Sequence, residues 1–208
     1  MARDRDVQAF HDRAQGYESG WRGTMHLDIA TRTADVALAV DPAPRRILDV
    51  GCGTGMLLRI LAQRLGPTAE ETAQGTAEEL VGIDAAAGMI DTARELADDP
   101  RLAFSTGVAE HLPYPDGSFD LVVSTTSFDH WHDQGAGLRE SARVLTGGGH
   151  LVLTDLFSLW LTPTLVVRGR GHARTRHRAT TLLEAAGFRT VTWQRLYQLI
   201  IATAVATT

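Results

Sequence analysis

Asp49 stands two residues ahead of Gly51 in the run Asp49-Val50-Gly51-Cys52-Gly53-Thr54-Gly55. Glycines at this spacing allow a tight turn with positive φ and let a ligand approach the backbone without a Cβ in the way. The N–H groups exposed there, with the dipole of a following helix, favour a carboxylate or a phosphate. Dinucleotide sites ordinarily show G-x-G-x-x-G, whose third glycine permits close packing around a pyrophosphate. Here the third glycine comes one residue early, at Gly55, and Met56 fills the dinucleotide position. With Asp49 beside the loop, the spacing suits a ligand carrying an ammonium and a carboxylate but no pyrophosphate. Asp84, closing Val81-Gly82-Ile83-Asp84, could accept both hydroxyls of a ribose. The same side chain could cap the next helix, and an aspartate can do both.

A second group lies in Ser124-Thr125-Thr126-Ser127-Phe128-Asp129-His130-Trp131-His132-Asp133. In open α/β sheets ligands sit beyond the carboxyl ends of the strands, so this segment should face one. His130 and Asp129 are candidate bases or orienters there; a cap or a packing role is the alternative. His26, near the N-terminus, is a third candidate base. Phe157, Leu159, Trp160, Leu161 and Leu165, with Trp131 and Phe128, could wall an apolar pocket or simply pack the core. No Cys/His spacing for structural zinc is present, and nothing requires a metal.

These residues need strands and helices to position them. Short β-runs at 46–50, 80–84, 102–106, 119–125 and 150–156 alternate with helical periodicity at 56–65, 86–97 and 132–145, the last closed by a Gly147-Gly148-Gly149 turn. Strands alternating with helices predict a mostly parallel sheet. Residues 179–186 read as a helix ended by Gly187, and 188–194 with 196–204 as an antiparallel hairpin at one sheet edge. The expected fold is therefore α/β, with a Rossmann-like, seven-stranded, mostly parallel sheet, a C-terminal antiparallel hairpin and helices on both faces. Helices predicted at 5–15 and 24–40, joined by Gly16, Gly20 and Gly23, have no strand to follow and should form a lid. The stretch 67–79 reads as a surface insertion.

With 208 residues the chain is expected to form a single domain. Its parts would be a lid at 1–44, a ligand-binding core at 45–157, an acceptor-side cap at 158–178 and a closing helix and hairpin at 179–208. All 20 basic residues are Arg, which excludes a Schiff-base lysine and a P-loop. A net charge of −5 argues against nucleic acid as the main partner. Arg168, Arg170, Arg174, Arg176 and Arg178 form a local basic run that could still bind phosphates or RNA. The lone Cys52 and an N-terminus without a signal-peptide core suit the cytoplasm. The apolar stretches 156–167 and 197–205 are too short to span a bilayer.

Taken together, residues 47–55, 81–85, 109–120 (Ala-Glu-His-Leu-Pro-Tyr-Pro-Asp-Gly-Ser-Phe-Asp) and 143–149 (Arg-Val-Leu-Thr-Gly-Gly-Gly) resemble class I S-adenosylmethionine-dependent methyltransferases, in particular the type 11 group. The resemblance covers about residues 45–157 and implies that Asp49 and the Gly51, Cys52, Gly53 and Gly55 loop hold the methionine moiety of S-adenosylmethionine, and Asp84 its ribose. Ala85 and Met89 would flank the adenine, with Gly107, Val108 and Ala109 along its edge; Ser124 is counted with this donor-binding set. Tyr17, in the lid, would contact the donor's carboxylate or pack the lid on the sheet. Relatives often carry Asp where Val108 stands, which would leave the adenine amino group to backbone acceptors or water. The implied reaction is methyl transfer to a small organic molecule, aromatic or apolar, at O, N or C, leaving S-adenosylhomocysteine. RNA or protein methylation through the basic run, and a cofactor-binding role without methyl transfer, are the alternatives.

Overall fold

The computed structural model describes residues 2–66, 77–157, 175–197 and 201–208. Seven strands form one sheet: β1 (Arg46–Val50), β2 (Glu79–Asp84), β3 (Leu102–Thr106), β4 (Phe119–Thr125), β5 (Leu145–Leu156), β6 (Thr190–Arg195) and β7 (Ile201–Thr207). Their order is β3-β2-β1-β4-β5-β7-β6. The first five pair in parallel, and β7 inserts antiparallel between β5 and the edge strand β6. The order reverses beside β1, between β2 and β4, which is where an open α/β sheet leaves a crevice for a ligand.

Alternation along the strands divides the core in two. Leu48, Val50, Val122, Leu151 and Leu153 face one way and pack with Leu138 and Leu183, which belong to α5 (Gln134–Val144) and α6 (Arg176–Ala185). Ile47, Leu121, Val123, Val152 and Val205 face the other way. There they meet α2 (Gly20–Val40), α3 (Met56–Leu65) and α4 (Ala87–Leu96) through Ala34, Leu58 and Ile90. Both sheet faces are thereby covered, as a parallel sheet requires.

The N-terminal lid is built from α1 (Ala2–Arg13) and a short 3₁₀ turn at Ala14–Gly16. It rests on α4 through a small cluster of Val7, Phe10, Ala14 and Tyr17 against Ala86 and Met89. Several boundaries differ from expectation. Helix α2 begins at Gly20, not at residue 24, because Gly20 and Gly23 lie inside it. A Cβ on Gly23 would stand 2.0 Å from the Glu18 carbonyl oxygen, so this glycine serves a close chain reversal and not a break. The glycines 147–149 do not close a helix in a turn but lie within β5, in the irregular stretch between the Phe119–Leu145 and Leu121–His150 pairs. The second hairpin strand begins at Ile201, five residues later than its predicted start. Of the insertion expected at 67–79 and the cap at 158–178, residues 67–76 and 158–174 lie outside the described residues, while Glu79 opens β2 and Arg176 opens α6.

Candidate active site

Strand β1 ends at Val50, and the chain turns at Gly51, Gly53 and Gly55, all with positive φ, before α3 begins. The carboxylate of Asp84 closes this loop from β2. Its Oδ2 accepts from the Gly53 N–H at 2.9 Å, and its Oδ1 accepts from the Ala86 N–H at 2.8 Å. Asp84 thus caps the turn into α4 and holds the glycine loop, with each oxygen keeping a lone pair for a ligand. Burial raises its pKa, against the opposing pull of those two N–H groups.

Asp49 lies beneath the loop, 2 % exposed, and its Oδ1 has no hydrogen-bond partner. Burial first, and the nearby Asp84 second, push its pKa from the usual 3.8 up to about 8. An orphaned, buried carboxylate oxygen of this kind is costly unless a donor or cation reaches it. The Cys52 thiol is pushed up as well, by burial and by the same two carboxylates.

A cavity opens over the carboxyl ends of β1, β2 and β4. Acidic side chains Asp6, Asp49, Asp84 and Glu110 line it, and no arginine does so among the described residues. Of the expected donor-binding residues, Tyr17, Asp49, Gly51, Cys52, Gly53, Asp84, Ala85, Met89, Gly107, Val108 and Ala109 all border this space. A Cβ on Gly53 would meet no protein atom within 4 Å, so the glycine leaves the approach to the backbone open. These features fit S-adenosylmethionine: a cation is favoured by the acids, and a pyrophosphate is not.

Gly55 and Ser124 sit behind the cavity wall. Gly55 makes room for the Phe104 ring, whose nearest atom would lie 2.6 Å from a Cβ there. Ser124 is fully buried and hydrogen-bonds the Ser127 hydroxyl at 2.9 Å.

The lid covers the other side. His26 and His130 border the cavity; Asp129 does not, and its backbone N–H donates to Asp155 Oδ2 at 3.2 Å. The Phe10 ring meets His130 edge-on at 5.0 Å between centroids, and Tyr17 stacks at a tilt over His26 at 4.9 Å. Burial lowers the His26 pKa, and Arg22 lowers it further, so this imidazole is held neutral. Burial and Asp84 raise the Tyr17 pKa, keeping its hydroxyl protonated. Among the described residues no cluster of three or more His, Cys, Asp or Glu is arranged to hold a metal ion, and no helix is long and apolar enough to cross a membrane. Of the basic run, residues 168–174 lie outside the described residues, and Arg176 stacks on Trp193 at 5.7 Å.

Several contributors are not evident from the motifs. Glu18 accepts from Thr54 Oγ1 at 2.6 Å and pairs with Arg59 at 2.7 Å, tying the lid's base to the glycine loop. Phe10 and Ser127 also border the cavity. Thr125 Oγ1 is buried without a partner, and Thr126 holds φ at +53°, a rare conformation for a β-branched residue. Phe10 carries no motif, being a single aromatic in the polar helix α1.

Residues 48–153 match the type 11 family described as a methyltransferase domain. Over 134 residues the chain is 39 % identical to the demethylmenaquinone methyltransferase of Deinococcus radiodurans, covering 64 % of this chain and 52 % of that protein. Over 142 residues it is 36 % identical to the malonyl-[acyl-carrier protein] O-methyltransferase of Geobacter sulfurreducens, covering 68 % and 49 %. The chain thus spans about half the length of these curated relatives. A chain of the complex between the Haloferax volcanii Trm112 methyltransferase activator and a methyltransferase shares the fold, with a TM-score of 0.78 at 19 % identity over 95 % of this chain and 96 % of that one. Half of the sequence, including the glycine loop, Asp84 and the end of β4, falls within the family match, and the chain belongs to the type 11 S-adenosylmethionine-dependent methyltransferase-domain family.

Proposed function

We propose that this chain transfers the methyl group of S-adenosylmethionine to a small, uncharged, apolar or aromatic acceptor, at an oxygen, nitrogen or carbon atom. The observation that carries the reading is a single cavity with an orphaned Asp49 oxygen on one side and two imidazoles with aromatic rings under a lid on the other. Bound S-adenosylmethionine would supply a methyl group on a sulfonium, whose departure as a thioether needs no acid.

The residues then divide the work. Asp49 would accept from the ligand's ammonium, and Asp84 from its ribose hydroxyls. The backbone at Gly51, Cys52 and Gly53 would lie along the methionine part, with Tyr17 near its carboxylate. Ala85 and Met89 would flank the adenine, and Gly107, Val108 and Ala109 its edge. Neutral His26, or His130, would take a proton from an oxygen or nitrogen acceptor; Asp129 would act through its place in the same turn. Alignment of the two reactants under the lid is expected to supply most of the acceleration, and a base roughly 10²–10⁴-fold where the acceptor carries a proton.

Two relatives are named for demethylmenaquinone and for malonyl-[acyl-carrier protein], so family membership leaves the acceptor to be read from the site. The absence of arginine from the described lining supports an uncharged acceptor over an acidic one. The test is to incubate the protein with methyl-labelled S-adenosylmethionine and fractionated cell extract. Label in the small-molecule fraction is expected. Label in RNA or protein would overturn the acceptor class and turn attention to the basic run.

A further inference from the structure

Every polar bond of the Ser127 hydroxyl is used. It donates to the Val50 carbonyl at 2.9 Å, leaving its lone pairs for the Ser124 hydroxyl at 2.9 Å and the Trp131 indole N–H at 3.2 Å. Val50 is the last residue before the glycine loop. Trp131, 6 % exposed, borders the cavity beside His130. The Ser127 carbonyl also accepts from the His130 N–H at 2.9 Å, so the turn that carries His130 starts on this residue.

The fit around Ser127 leaves no slack. A Cβ on Gly51 would stand 2.3 Å from its Oγ, so the glycine of the donor loop is pressed against it. On the far side Trp131 is wedged onto α5, where a Cβ on Gly137 would lie 2.5 Å from the indole ring. Ser127 follows Thr126, whose left-handed backbone (φ +53°) persists only where the surroundings hold it. The Thr126 N–H is tied to the Thr154 carbonyl at 2.8 Å, and the Ser127 hydroxyl anchors the next residue.

We propose that Ser127 is a positioning residue that links occupancy of the glycine loop to the acceptor wall. A ligand that orders Gly51 also orders the Ser127 hydroxyl, and through it Trp131 and the His130 turn. The inference rests on the reading of the loop as a donor site, and it gives Ser127 no contact with the reacting atoms.

Titration of ¹⁵N-labelled protein with S-adenosylhomocysteine tests it without an identified acceptor. The Trp131 indole N–H, assigned through its contacts with Phe128 and Gly137, is expected to shift on saturation and to exchange more slowly with solvent. In Ser127→Ala the ligand should bind within about threefold of the wild-type affinity while the Trp131 response disappears. An equal Trp131 response in Ser127→Ala would overturn the proposal, and a binding loss beyond that range would make Ser127 part of the donor pocket instead. The wild-type measurement stands even if the variant does not fold: saturation that leaves Trp131 shift and exchange unchanged sinks the coupling alone. No binding of S-adenosylhomocysteine by the wild type would sink the donor reading with it.

Discussion

Asp49 is the residue on which the proposed donor binding and pH meet. Its ligand-free pKa of about 8 means that near neutrality it carries a proton, held there by burial and by Asp84. An ammonium at Oδ1 would favour the ionised form, so binding below pH 8 expels that proton. Affinity for S-adenosylhomocysteine should therefore tighten by up to about tenfold per pH unit from pH 6 to 8 and level off above; calorimetry across that range checks it. Asp49→Asn should flatten the profile and weaken binding. Stability runs the other way. Because the folded pKa is raised above the usual 3.8, the Asp49 contribution is full below that value and is lost as pH rises through about 8. The thermal midpoint of the ligand-free protein should fall over that window, and fall less in Asp49→Asn. Asp84→Ala removes the proposed ribose acceptor and leaves the Gly53 and Ala86 N–H groups unpaired. A loss of about 10–100-fold in donor affinity is expected, from the roughly 1.5–3 kcal/mol of a hydrogen bond to a charged group.

At the scale of elements, the lid is joined to the core by few contacts, and one of them can be cut selectively. The Gly88 N–H of α4 donates to His11 Nδ1 at 2.8 Å, and a Cβ on Gly88 would lie 2.8 Å from both that atom and the His11 carbonyl oxygen. In Gly88→Ala, helix propensity favours α4 by about 1 kcal/mol, while the new methyl pushes α1 away. Hydrogen exchange in α1 should accelerate with little change in the global midpoint; unchanged exchange would show that His11 gives way instead. Gly51→Ala combines φ of +75° with the clash on Ser127, and should cost about 2–4 kcal/mol, measured by denaturant unfolding. Much of this framework was legible in the sequence. Strands β1, β3 and β4 occupy the residues that their β-runs indicated; Arg45 and Gly51 bound the first, Arg101 and Gly107 the second, and the Asp116-Gly117 turn precedes the third. Strand β7 was misplaced because Ile201–Thr207 is made of small residues buried on both faces, so no alternation marks its phase. The glycines of α2 and β5 read as breaks because their reasons, a neighbouring carbonyl and a shifted ladder, are tertiary. At the site, the acid-and-glycine motif is local and could be read; the Glu18–Arg59 pair and the Ser127–Val50 bond join residues 41 and 77 apart and left no local trace.

The whole molecule separates its tasks by strand order. The reversal beside β1 places Asp49, Asp84 and the end of β4 around one crevice, while α1 and α2 close it from above. The antiparallel β7 and β6 extend the sheet on the far side and bury Ala202, Ala204 and Ala206 against the α5–α6 face. A ligand that bridges lid and loop should stabilise the assembly as a unit. At 100 times its Kd, S-adenosylhomocysteine is expected to add about 2.7 kcal/mol, a rise of roughly 5–10 °C in thermal midpoint for a chain of this size.

The acid-lined crevice suits a compact cationic nucleoside and not a dinucleotide. Titration calorimetry with S-adenosylhomocysteine and with NAD at pH 7, in two buffers of different ionisation enthalpy, tests it directly. One S-adenosylhomocysteine per chain, with proton release revealed by the buffer dependence, and no heat from NAD is the expected result. Silence with S-adenosylhomocysteine, or NAD binding as tightly, would contradict that selectivity.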